Sequence, residues 1–202
     1  MIAILDYGVG NLFSVEKAFA VLGVDARITK RASDIRAAEK IVLPGVGAFG
    51  DCMKNLEESG LLPALLASVK SGTPLLGICV GLQILFESSE ESPGVKGLGL
   101  LKGKVRKIKA PGLKIPHMGW NSIEITAKTR ENLFRGLGET PYVYFVHSYH
   151  AKPTSASVLT STALYGERIT ASVAKDNIMA VQFHPEKSGD VGLAILKNFV
   201  EE

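Results

Sequence analysis

The 202 residues carry 23 Lys and Arg against 20 Asp and Glu, a net charge of +3, too mild to point to nucleic acid or a membrane surface as a partner. Hydrophobic residues make up 46% and charged residues 21%, the balance of a soluble globular chain that can bury a substantial core in one domain. No apolar run is long enough to cross a bilayer, residues 1–6 lack the basic start of a secretory signal, and two cysteines are too few for a disulfide framework, so a reducing, cytoplasmic setting is expected.

Residues 2–6 are predicted as a buried strand. The loop Asp6-Tyr7-Gly8-Val9-Gly10-Asn11 follows, with Asn11 placed to cap a helix whose core face is Leu12, Val15, Phe19 and Leu22. One Gly-x-Gly with no third glycine and no acidic partner reads as a tight turn rather than a dinucleotide cradle. Residues 24–29 form a second strand, and Ser33 caps a short helix. Residues 40–43 form a third strand that ends in Pro44-Gly45-Val46-Gly47. Its glycines permit a close approach to a ligand and easy reorientation of the peptides. Phe49, Met53 and Leu56 share one face of the next helix, where Cys52 reads as packing, and residues 61–70 give a further helix.

The chain is organised around Gly77-Ile78-Cys79-Val80-Gly81-Leu82-Gln83. The apolar run 75–78 predicts a buried strand, and residues 80–87 predict the start of a helix. Cys79 at the junction has a glycine two positions away on each side. That is a cysteine version of the nucleophile elbow, a strained turn in which flanking side chains would clash. The helix start directs N–H groups at the sulfur and favours its thiolate.

Beyond residue 93 the pattern changes to strands joined by turns: 98–108, 122–125, 142–146, 157–165 and 170–174. Residues 178–183 read as a buried strand ending at His184-Pro185-Glu186, and Ser188 caps a last helix. Alternating strands and helices in the first half predict a mostly parallel central sheet flanked by helices, with ligands at the carboxyl edge, and the second half adds an antiparallel section. No linker interrupts the chain, so residues 1–202 read as a single domain.

A cysteine nucleophile needs a base, and the base needs an orienting group. His184 follows a buried strand as Cys79 does, and Glu186 stands two residues on. His117 and His147 compete as base, but neither has a carboxylate nearby in sequence. No histidine or cysteine pair has zinc-ligand spacing, so neither metal nor cofactor is expected.

Pro44-Gly45-Val46-Gly47, the Cys79 elbow and His184-Pro185-Glu186 resemble the class I glutamine amidotransferases, a flavodoxin-like fold. Pro116-His117-Met118-Gly119-Trp120-Asn121, the stretch 144–149 and the loop at Asp6 are similar to the glutaminase subunits of imidazole glycerol phosphate synthases. Val80 and Leu82 depart from the leucine and methionine common in that family. The resemblance implies glutamine hydrolysis through a Cys79 thioester, with His184 as acid and base and Glu186 as its orienter. It implies an oxyanion hole from Val80 and from Val46 or Gly47, and a substrate end held by Gln83, Glu91, Ser148 and Tyr149. It also implies a heterodimer with a (β/α)8-barrel synthase, met by Asn11, Trp120, Asn121 and Lys187, that consumes the ammonia in histidine biosynthesis. A glutaminase serving another synthase, a binding module that has lost activity, and a standalone cysteine hydrolase are the readings to be separated from this one.

Overall fold

The computed structural model describes residues 1–126 and 133–202. In chain order the first half runs β1 (Ile2–Leu5), α1 (Leu12–Val21), β2 (Ala26–Thr29), α2 (Ala32–Ala37), β3 (Lys40–Gly45), α3 (Phe49–Glu58), α4 (Leu62–Lys70), β4 (Leu75–Cys79) and α5 (Val80–Gln83). The second half runs β5 (Ser88–Ser89), β6 (Gly103–Lys107), β7 (His117–Ser122), β8 (Glu124–Ile125), β9 (Tyr142–His147), β10 (Tyr149–Pro153), β11 (Leu159–Tyr165), β12 (Glu167–Lys175), β13 (Ile178–Val181) and α6 (Gly189–Glu201).

Among the described residues the main sheet has the order β2-β1-β3-β4-β13-β12-β11-β8. Its first five strands are parallel and the remaining three antiparallel. The inner parallel strands are apolar runs of the sequence; β1, β4 and β13 are buried along their whole length, as strands covered on both faces require, whereas the edge strand β2 is only partly buried. Phe19, Phe49, Phe86, Phe183 and Phe199 are fully buried in the core. Two small sheets stand apart: β10-β6-β5, and the antiparallel ribbon β7-β9. No described helix is long and apolar enough to cross a membrane.

Several local expectations need correction. The helix after the elbow is one turn long. Carbonyls that would continue it are taken from elsewhere: Leu98 N–H donates to Ile84 O at 2.8 Å, Leu101 N–H to Leu85 O at 3.0 Å and Gly97 N–H to Glu87 O at 3.0 Å. The sulfur is therefore served by the free N–H groups of a single turn rather than by the dipole of a long helix. Ser33 lies inside α2 and caps nothing; the start of that helix is tied instead by Thr29 Oγ1, which accepts from Arg31 N–H and donates to Asp34. Asn11 and Ser188 occupy N-cap positions without capping through their side chains. β2 begins two residues later than expected, and the strand predicted over 98–108 is confined to β6.

Candidate active site

Parallel pairing sets the site. Gly45 of β3 lies opposite Cys79, and Val181 of β13 lies opposite Ile78. One step further along that register, Gln182 stands beside Cys79. The carboxyl ends of three adjacent strands thus bring Pro44–Gly47, the elbow and the His184 turn to one edge.

Cys79 has φ +56°, the left-handed region, in a non-glycine residue, a strained conformation that surrounding contacts must enforce. Those contacts are the glycines. A Cβ on Gly81 would sit 1.9 Å from Leu43 O, and one on Gly45 would sit 2.7 Å from Gly81 N. Gly45 is therefore glycine because the elbow packs on it, not because its peptide must turn. Gly47 differs: its φ is +86° and nothing lies within 4 Å of a Cβ there. Conformational freedom is thus confined to Val46–Gly47. The Val46 carbonyl accepts from Cys52 Sγ at 3.3 Å, and the Tyr7 hydroxyl donates to Pro44 O. Burial pushes the Cys52 thiol up to about 11, which keeps it a donor rather than a competing nucleophile.

His184 Nδ1 and Glu186 Oε1 are 2.8 Å apart, both side chains almost fully buried. That contact makes Nδ1–H the donor and leaves Nε2 for chemistry. Nε2 makes no hydrogen bond of normal geometry, yet the sulfur is close enough to act on it electrostatically. Burial opposes a charge on His184, but Cys79 and Glu186 together outweigh it and raise the imidazole to about 10. Ser188 holds the turn: its hydroxyl donates to His184 O at 2.6 Å and accepts from Tyr144 N–H at 3.0 Å.

A cavity of about 270 Å³ opens over these groups, lined by Val46, Gly47, Cys79, Val80, Gln83, Glu91, Ser148, Tyr149 and His184 together with Pro116, Val146 and His147. It joins the expected triad cysteine and histidine, the oxyanion candidates and the four expected substrate-binding residues. Glu91 Oε2 already accepts from Phe49 N–H at 2.8 Å, so one carboxylate oxygen remains. Gln83 spends both amide hydrogens inside the protein, on Tyr149 O and on Gln182 Oε1, each at 3.1 Å; its carbonyl oxygen is what it can offer, and that oxygen can only accept.

The other histidines are structural. His117 and His147 face each other across the β7-β9 ribbon. Asn121 Nδ2 is 3.3 Å from His117 Nε2, His117 Nδ1 is 3.0 Å from His147 Nε2, and His147 Nδ1 is 2.8 Å from Tyr149 O. The carbonyl can only accept, so every donor in the series points toward it, and both rings are neutral Nδ1–H tautomers. Burial lowers His117 to about 4 and His147 to about 3. His150, fully buried, accepts from Thr170 N–H, and burial and then Lys152 lower it to about 4.

An acid-stability prediction follows from these three rings. Their pKa values are lower in the folded chain than in the unfolded one, where histidine titrates near 6.5. The unfolded state therefore takes up protons first, and stability present above about pH 6.5 is lost as the pH falls toward 4. The loss is on the order of 3 kcal/mol per histidine by pH 4, less where the rings interact. Urea unfolding at pH 7, 5.5 and 4 checks it; a flat profile would contradict the neutral tautomers.

Of the residues expected to meet a partner, Trp120 is 56% exposed on β7, and Lys187 is exposed with its ammonium 5.9 Å from the Tyr144 ring centroid. Asn11 is half-buried. Asn121 turns inward: its amide donates to Leu164 O and its carbonyl accepts from Ser122 N–H. His147, considered in the sequence as a competing base, lines the cavity as a neutral structural ring instead, and Gln182, beside Cys79, is the residue that the sequence did not single out; its one signal was its place just before Phe183-His184. No group of three or more His, Cys, Asp or Glu that could hold a metal ion occurs among the described residues.

The model of the class-I glutamine amidotransferase family matches residues 3–202, and the chain belongs to that family of enzymes. It is similar to imidazole glycerol phosphate synthase subunit HisH of Methanothermobacter thermautotrophicus, 52% identical over 100% of this chain and 98% of that one. It is similar also to the protein of the same name from Syntrophotalea carbinolica, 50% identical over 98% of each. Within the family the chain groups with these subunits. Among solved structures, a glutamine amidotransferase superposes with a TM-score of 0.77 at 21% identity over 99% of this chain and 97% of that one, which speaks for the fold.

Proposed function

We propose that this chain, acting as one domain, hydrolyses glutamine for a (β/α)8-barrel partner in imidazole glycerol phosphate synthesis. The observation that carries the reading is the buried His184–Glu186 pair, with Nε2 unengaged in the same cavity as the elbow sulfur. The Cys79 thiolate attacks the side-chain amide carbon, and the carbonyl π electrons move to oxygen. Val80 N–H, the residue after the nucleophile, and a peptide N–H at Val46 or Gly47 receive that oxyanion, each worth about 3–4 kcal/mol. As the tetrahedral intermediate collapses, His184 gives its Nε2 proton to the departing nitrogen, which leaves as ammonia, and a thioester remains. Nε2 then takes a proton from water as it attacks the thioester; glutamate forms and the thiolate returns. Glu186 holds the ring and stabilises its charged form. At the substrate's far end, the free oxygens of Glu91 and Gln83 suit an α-ammonium, and Ser148 with Tyr149 suits the α-carboxylate.

Trp120, Met118 and Tyr142 are exposed on the β7-β9 ribbon, and Trp120 and Lys187 are the contacts we assign to the partner. Among the described residues the Val46 carbonyl is held by a thiol donor, a weak bond, so a docked partner can shift the Val46–Gly47 peptide at small cost. The two free cysteines suit a cytoplasmic setting. Single-turnover glutamine hydrolysis, measured alone, with barrel, and with barrel plus its nucleotide, should rise at each step. Equal rates in all three would remove the partner from the mechanism.

A further inference from the structure

Gln182 is fully buried, carries no role in the chemistry above, and places its side-chain amide on the nucleophile: Nε2 lies 3.7 Å from Cys79 Sγ. Which end of an amide faces a neighbour has to be argued from its partners, and here a backbone atom decides it. Tyr149 O has no hydrogen to give. The Gln83 atom 3.1 Å from it must therefore be nitrogen. The same nitrogen faces Gln182 at 3.1 Å, so the Gln182 atom there must be oxygen. The remaining end of Gln182, the one against sulfur, must then be the NH2. Reversing Gln83 would set its oxygen against Tyr149 O, and reversing Gln182 would set two NH2 groups face to face; either clash in a buried site costs more than a lost bond.

We infer that Gln182 is a positioning residue for Cys79: its amide hydrogen holds the sulfur and favours the thiolate over the thiol, with Gln83 and Tyr149 O fixing the direction of that donor. This rests on Cys79 being the nucleophile. A thiolate accepts a hydrogen bond better than a thiol does, so the contact acts on the charged form. Packing alone does not require a carboxamide between β13 and the elbow, where an apolar side chain of the same length would fill the space.

The test reads the sulfur directly. The pH profile of Cys79 alkylation by iodoacetamide, followed by peptide mass spectrometry in the full chain, gives the midpoint of thiolate formation. Gln182→Met keeps the length and removes the hydrogen. It should move the midpoint up by about one pH unit, so that alkylation at a given pH on the rising limb slows about tenfold. Gln182→Leu should do the same. Gln83→Leu leaves Gln182 in place without its orienting hydrogen and should give a smaller shift in the same direction. Unmoved midpoints in the two Gln182 variants would overturn the inference and leave the nucleophile assignment intact. If the wild-type chain alkylates Cys79 no faster than Cys52, the nucleophile assignment fails, and this inference with it.

Discussion

Cys79→Ala should abolish glutamine hydrolysis, by 10⁴-fold or more as an order of magnitude, and leave the thermal midpoint close to that of the wild type. Activity falls because nothing else in the cavity can form the thioester; Cys52, with its thiol pushed up to about 11 and its hydrogen committed to Val46 O, cannot substitute. Stability is spared because alanine meets the same left-handed backbone cost at φ +56° that cysteine does. Glutamate release with the barrel subunit present measures the first, and a melting curve the second. Retained turnover would place the nucleophile elsewhere.

His184→Asn should be nearly as damaging, on the order of 10³- to 10⁴-fold. Asparagine fills part of the space and can still meet Glu186, but has no group able to cycle a proton at the Nε2 position. Glu186→Gln should cost less, since it weakens the orientation and charge support of a base that remains in place. The ordering is the informative result. If His184→Asn were as active as the wild type, His117 or His147 would have to be the base. Both rings are neutral and spend both nitrogens on each other, on Asn121 and on Tyr149 O.

The parts of the site that were legible in the sequence are those where chemistry is packed into a few consecutive residues. Gly77 to Gly81 announces a strained turn because its glycines are needed locally, and Glu186 announces itself by standing two residues from His184. The parallel strands were legible because buried strands are written as apolar runs. What was not legible depends on pairings between distant residues. His117 meets His147 because β7 pairs with β9, thirty positions away, and Gln182 meets Cys79 because β13 lies beside β4 in a fixed register. The one-turn length of α5 was hidden for the same reason. Residues 84–87 look helical, but their carbonyls are claimed by a loop beginning ten residues later, and tertiary contacts overrule local preference.

The Tyr149 carbonyl that sets the direction of the amides also insulates the cavity. Hydrogen bonds run without a break from Asn121 through two imidazoles to this oxygen, and from the same oxygen through two carboxamides to the sulfur. A proton wire needs each member to accept on one side and release on the other, and an acceptor fed from both sides releases nothing. Acid arriving at the ribbon surface stops at Tyr149. In the proposed reaction, ammonia freed beside Cys79 would therefore draw no proton through the ribbon imidazoles, and the one exchange the mechanism calls for is with His184.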